Sequence, residues 1–157
     1  MKNFEYPIAV EWTGNDGLGT SNSRFGRDSE ISTSNKPTLI GSAPREFGGD
    51  GTNWSPEDLF VAAVSQCHML TYLHLCSRNG IVVDSYRDDA VGRLDVDGAA
   101  GGQFRCVELR PNVTISAGDP AAADALHAEA SKGCFVGRSV SSPITVKATT
   151  TIAAAGS

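Results

Sequence analysis

The sequence predicts an α+β fold in which strands and helices are segregated rather than alternating as a parallel βαβ repeat. Three observations carry this expectation. A long apolar segment from Leu59 to Cys76 lies between a helix start and a helix stop. Stretches of period-two alternation lie on either side of it, and a second, shorter helical pattern begins at Asp119-Pro120. The order is strands, long helix, strands, helix, strand. With 157 residues the chain is expected to form a single domain, 1–157, with its own core.

Ile8, Val10 and Trp12 alternate with polar residues, as in a half-buried strand, and Gly14-Asn15-Asp16-Gly17 turns the chain into an opening hairpin. The polar stretch Thr20 to Ser34 has room for one or two exposed strands. The Gly/Pro-rich stretch Lys36 to Asn53 reads as a loop or a loosely paired edge. Ser55-Pro56-Glu57-Asp58 then supplies a capping hydroxyl, a proline at the first helical position and acids in the first turn. Asn79-Gly80 is the matching stop. Between them apolar residues occupy almost every face, which predicts a helix packed on all sides. A chain of this size cannot easily wrap a helix of about 24 residues, so a homodimer is expected.

Ile81 to Asp97 reads as one long strand or a bent pair, with Gly98 to Gly102 as a hairpin loop. In the return strand Val107, Leu109, Val113 and Ile115 share one face, Glu108, Arg110, Asn112 and Thr114 the other, and Pro111 marks an edge or bulge. The second helix runs from Pro120 to about Lys132 and ends at Gly133, with Cys134 just beyond. A strand through Ile144 and Val146, within Pro143 to Ile152, closes the fold before a short Ala-rich tail.

The formal charge of −5 and scattered Lys and Arg argue against nucleic acid as a partner. The longest strongly apolar run, Leu59 to Val64, is far below the roughly 20 residues of a membrane span. The residues after Met1 lack a signal-peptide core, so no membrane association and a cytoplasmic location are expected.

In that setting Cys67, Cys76, Cys106 and Cys134 are expected to be thiols rather than structural bridges. Cys67, His68, His74 and Cys76 include no pair at the helical i,i+3 or i,i+4 spacing, which disfavours a metal site. Cys67 and Cys76 lie about 180° apart around a helix and roughly 13 Å along it, so they cannot bridge. Cys76 is assigned to the core and Cys106 to a tolerated strand position. Cys67 and Cys134 remain, on separate elements, and their spacing leaves open whether they meet. A reactive Cys67 in mid-helix needs a neighbouring cation, most simply an arginine. Glu57 could hold such an arginine, yet it stands about 15 Å from Cys67 along the helix. If both serve one pocket, Glu57 comes from a partner subunit; otherwise it only faces the helix dipole.

Gly51-Thr52-Asn53-Trp54-Ser55-Pro56-Glu57-Asp58-Leu59-Phe60, Cys67-His68-Met69-Leu70 and Gly133-Cys134-Phe135-Val136 with Ser139-Val140 resemble the OsmC/Ohr family of thiol peroxidases, as do Asp84-Ser85-Tyr86 and Leu109-Arg110-Pro111. The resemblance spans nearly the whole chain. It implies an intertwined α+β homodimer in which two long central helices are wrapped by antiparallel sheets, with active sites at the subunit interface. It further implies that Cys67 is the peroxidatic thiolate, Cys134 the resolving thiol and Glu57 the carboxylate orienting an activating arginine. Arg45 and Arg24 each resemble that arginine in different members, and Arg27 is a third option. The chain departs from the usual pattern in inserting Trp54-Ser55 before Pro56 and in carrying Gly137-Arg138.

The implied activity is reduction of an organic hydroperoxide to its alcohol through a Cys67 sulfenic acid and a Cys67–Cys134 disulfide, reset by a dithiol such as a lipoylated protein. Phe60, Met69, Phe135 and Trp54 are apolar candidates to receive the alkyl part. No metal, flavin or haem is implied. Two alternatives are a redox sensor or non-catalytic binding member of the same fold, and a cysteine hydrolase with His68, His74 or His127 as base. In the hydrolase, His68 would point about 100° away from Cys67, and His127 shows no orienting partner in the sequence.

Overall fold

A computed structural model describes residues 2–98 and 101–154. Ala99 and Ala100 of the expected hairpin loop, and the last three residues of the tail, lie outside the described residues. The chain divides into two compact units, one ending at Leu59 and the other beginning at Phe60.

The first unit contains β1 (Ala9–Trp12), β2 (Ser29–Ser32), β3 (Leu39–Gly41) and a 3-10 turn at Arg45–Phe47. The three strands form one antiparallel sheet in the order β1-β2-β3. The opening hairpin is present, and β3 turns part of the expected loop into a paired strand. β1 is not half-buried as its alternation predicts: Val10 is 67% exposed, and Ile8 and Trp12 are exposed as well. Among the described residues this unit contains, besides the sheet, loops, the 3-10 turn and the first turn of a helix that begins at Pro56.

Helix α1 (Pro56–Arg78) starts where expected. Ser55 and Asp58 cap it reciprocally: the Ser55 hydroxyl accepts from the Asp58 N–H at 3.1 Å, and the Asp58 carboxylate accepts from the Ser55 N–H at 3.0 Å. At the other end Gly80 adopts φ +70°, and the Ile81 N–H returns to the Cys76 carbonyl at 3.0 Å. The expectation that α1 is packed on all sides fails within one chain. Its buried residues are Val64, His68, Tyr72 and Cys76, a single i,i+4 stripe, while Leu70 is 57% exposed. By length and composition alone α1 could cross a membrane, contrary to the short-run expectation. Yet its buried stripe packs into the protein's own core.

The second unit continues with β4 (Val82–Asp88), β5 (Val91–Asp97), β6 (Gly101–Leu109), β7 (Pro111–Ala117), α2 (Pro120–Gly133), α3 (Phe135–Arg138), β8 (Ile144–Val146) and β9 (Thr149–Ile152). These strands form two sheets, β4-β7-β9 and β5-β6-β8. The sheets are mixed, not purely antiparallel as expected: β6 pairs β8 and β7 pairs β9 in parallel. Three stretches expected as single or bent strands each divide between the two sheets. The return strand divides at Arg110, whose N–H donates to Asp88 at 2.6 Å. Pro111, lacking an N–H, then opens β7. The predicted apolar face survives the division, since Val107, Leu109, Val113 and Ile115 are all buried.

The core has two clusters. Tyr72, Cys76, Ile81, Val113, Ile115, Ala123 and Ala130 form one, and Val64, Val107 and Leu109 the other. Glu108, expected on the polar face, is instead buried. Its carboxylate meets Arg110 and Lys147 at 2.6 Å each and Arg93 at 3.7 Å, so cations from three places compensate the burial.

Candidate active site at the facing cysteines

Cys67 is half-buried on α1, one residue off the buried stripe. Cys134 is buried at the junction of α2 and α3, closing the first helix and capping the second. Separated by 67 positions in the chain, the two thiols lie in the same unit, close enough that Cys67 raises the pKa of Cys134. Burial pushes the Cys134 thiol up to about 11, the nearness of Cys67 adds to the rise, and the Gly137 N–H opposes it. That N–H donates to Cys134 Sγ at 3.2 Å. A methyl group on Gly137 would stand 3.2 Å from the same sulfur and 3.3 Å from Ile144 Cδ1, so residue 137 has little room to grow.

A cavity of about 180 Å3 opens beside Cys134, lined also by Val64, His68, Leu109, Ser131 and Ile144. Its walls are mostly apolar, with two serines and one imidazole, as suits a small apolar group carrying one polar end. Of the expected apolar candidates, Phe60 packs its ring against Phe104 at 4.6 Å, and Met69 is half-buried. Phe135 and Trp54 are exposed at 81% and 51%.

The family is decided by a comparison across the chain. Residues 49–149 match the model of the OsmC-like protein family. This chain belongs to the OsmC/Ohr family. An OsmC-like protein of unknown function from Vibrio cholerae O1 biovar eltor str. N16961 is similar in structure, with a TM-score of 0.85 and 26% identity, covering 94% of this chain and 100% of that one. A crystal structure described as an organic hydroperoxide resistance protein OsmC from Legionella pneumophila is 20% identical, with a TM-score of 0.64, covering 95% and 99% of the two chains; it shows the shared fold. In sequence, the uncharacterized protein YmaD of Bacillus subtilis (strain 168) is 23% identical over 145 residues, 89% of each chain.

The other expected site residues of this OsmC-like chain lie in the first unit. Glu57 stands in the first turn of α1, and one carboxylate oxygen, Oε2, is buried without a hydrogen-bond partner. Arg24 is exposed, and Arg45 is exposed with its side chain laid across Gly51. Arg27 is the most firmly held of the three. Its guanidinium lies 4.6 Å from the centre of the Phe25 ring and donates to the Phe25 carbonyl at 2.9 Å. Among the described residues none of these arginines forms an ion pair with a carboxylate within 4.0 Å, though the charge of Arg45 helps lower the pKa of Asp50.

The histidines correct one expectation. His127 does have an orienting partner: its Nδ1 lies 3.0 Å from His68 Nε2, in the buried space between α1 and α2. Tyr72 stacks on His127 with centroids 3.9 Å apart. The imidazoles engage each other, no hydrogen bond among the described residues joins a histidine to a cysteine, and His74 is exposed. Both rings sit at helical spacing within buried stripes, 64-68-72-76 and 123-127-130. A polar residue at the same phase as the core was the signal available in the sequence. No group of three or more His, Cys, Asp or Glu side chains with metal-holding geometry occurs among the described residues.

Proposed function

We propose that this chain is a cysteine-based thiol peroxidase that reduces organic hydroperoxides, built as one OsmC-like domain over 1–157. The observation that carries the proposal is the nearness of Cys67, on α1, to Cys134, at the end of α2, beside a largely apolar cavity. A thiolate at Cys67 attacks the terminal oxygen of the hydroperoxide, the O–O bond breaks, and the alkoxide leaves to be protonated as the alcohol. Cys134 then attacks the Cys67 sulfenic sulfur, forming the disulfide and releasing water. A dithiol, for which a lipoylated protein is the proposed donor, restores both thiols and becomes a disulfide itself. The apolar walls beside Cys134 support an alkyl hydroperoxide over hydrogen peroxide.

The activating cation is one of Arg24, Arg27 and Arg45, held by the unpartnered oxygen of Glu57. The proposed assembly is a homodimer with the site at the subunit interface. The exposed apolar residues of β1 and the uncovered faces of α1 support it, because a second copy would bury both. The proposed location is cytoplasmic. A redox sensor of the same fold would share the disulfide but not the turnover.

One equivalent of cumene hydroperoxide added to reduced protein tests the reading, followed by disulfide mapping by peptide mass spectrometry. The expected result is a rapid Cys67–Cys134 bridge that a dithiol reverses, with Cys134→Ser stopping at the sulfenic acid and Cys67→Ser inert. Absence of oxidation at Cys67 would reject the peroxidase. A bridge without repeated turnover would leave the sensor. Single replacements of Arg24, Arg27 and Arg45 by Ala identify the activator as the variant that slows the first oxidation.

A further inference from the structure

His68 and His127 are buried titratable groups that the proposed chemistry does not use, and their positions relate them to both thiols. His68 directly follows Cys67 on α1, and His127 lies seven residues before Cys134 on α2, about two helical turns. The 3.0 Å bond between Nε2 of His68 and Nδ1 of His127 is a polar tie between the two cysteine-bearing helices. The rings are parallel within 5°, and Tyr72 clamps the His127 ring from α1 at the same 5° inclination. Around this tie, Ala123 and Ala130 from α2 meet the apolar cluster. Small side chains there allow close approach but supply no directional contact. An apolar interface alone would allow α2 to slide along α1, and a hydrogen bond between defined ring atoms does not.

We infer that the His68–His127 pair is a positioning clamp that fixes the register of α2 against α1 and thereby holds Cys134 within reach of Cys67. For this the two rings share one ring proton between Nε2 and Nδ1 and both remain neutral. Burial lowers the pKa of both, and the proximity of His68 lowers that of His127 further. The charged groups nearest the pair are Asp88, at the end of β4, and Asp124, on α2, and both act in the opposite direction; Tyr72, Tyr86 and Cys76 are the other ionisable groups of the surrounding core. The clamp rests on the pairing of Cys67 with Cys134 but does not require peroxide.

Its test is therefore peroxide-free. Reduced protein is equilibrated with reduced and oxidised glutathione, so that a Cys67–glutathione mixed disulfide forms with loss of one glutathione, and Cys134 displaces the second. The equilibrium gives the effective concentration of the two thiols relative to each other. His127→Leu keeps bulk but deletes Nδ1, and should lower that concentration by about tenfold, the larger end of what one hydrogen bond contributes. His68→Gln places an amide where Nε2 stands and should stay within about threefold of the unchanged protein, as should His127→Asn, whose amide replaces Nδ1. His68→Asn is one bond too short and should fall like His127→Leu, so that if the leucine variant does not fold, the Gln and Asn pair still decides. Equal values for His68→Gln, His68→Asn and the unchanged protein would overturn the clamp. Cumene hydroperoxide added to the unchanged protein runs alongside: failure to oxidise Cys67 would reject the peroxidase while the glutathione values still judge the clamp.

Discussion

Two buried polar clusters of this molecule are assembled on opposite principles. Glu108 is kept ionised: hydrogen bonds from Lys147 and then Arg110 hold its carboxyl down to about 2, and three cations gather around it at the margin of β6. His68 and His127 are kept neutral between two helices, with burial lowering His127 to about 4. The carboxylate is compensated by long side chains that reach in from solvent, as the exposure of Lys147 shows. The imidazoles are hydrogen-bonded to each other and stacked, with the Tyr72 ring stacked on His127. The difference shows where this fold tolerates charge. Charge is accepted at Glu108, where Arg93, Arg110 and Lys147 reach it, and Arg93 also donates to Cys106 Sγ at 3.7 Å, whereas the imidazoles lie where burial favours the neutral form.

The largest expected effect follows from pH. For His127 the folded value of about 4 lies below the ordinary 6.5, so its contribution to stability is complete above about pH 6.5 and is lost as pH falls through about 4. At 1.36 kcal/mol per unit the loss is about 3 kcal/mol. Glu108, depressed from 4.5 to about 2, contributes fully above pH 4.5 and loses that contribution only as pH falls through 2. Urea unfolding between pH 7 and 3 should therefore show most of its decline above pH 4, and a His68→Gln/His127→Asn double variant should remove that part. A decline confined below pH 4 in the unchanged protein would erase the distinction.

Next in size is His127→Leu, which leaves His68 Nε2 buried without its partner and should destabilise by about 1–3 kcal/mol. The double His68→Leu/His127→Leu should recover much of the loss, because two apolar groups of similar shape leave nothing unsatisfied; a melting curve for each variant measures this. The smallest effect sharpens the contrast through salt. Raising sodium chloride to about 1 M screens the half-exposed cations of the Glu108 cluster but not the neutral pair. Glu108→Gln should therefore differ from the unchanged protein at low salt and approach it at high salt, while the stability difference of His127→Leu stays constant.

Local signals that need only neighbours in sequence were legible in advance. The Ser55 to Asp58 start, the Gly80 stop and the apolar phase of Val107 to Ile115 all reappear, since capping and alternation act within a few residues. What escaped depends on residues far apart in the chain. Alternation alone gives the same pattern whether a strand continues or changes sheet at Arg110, because the break is made by Asp88. The same alternation places Glu108 outward, and only cations from positions 93, 110 and 147 make its burial tolerable. His127 read as partnerless because its partner is 59 positions away. Helix geometry singles out Cys67 and Cys134 and the resemblance implies their roles, but their spacing leaves open whether they come close.

The stripe of Val64, His68, Tyr72 and Cys76 has a consequence for how this chain can vary in length. Each of those residues is one helical turn from the next, so deleting or inserting a single residue among them would rotate everything beyond by about 100°. A core tyrosine would swing toward solvent, and the bond to His127 would be lost with it. Gains and losses of residues among relatives should therefore be absent from 64–76 and collect where the backbone has no such phase to keep, as in the loop between β1 and β2.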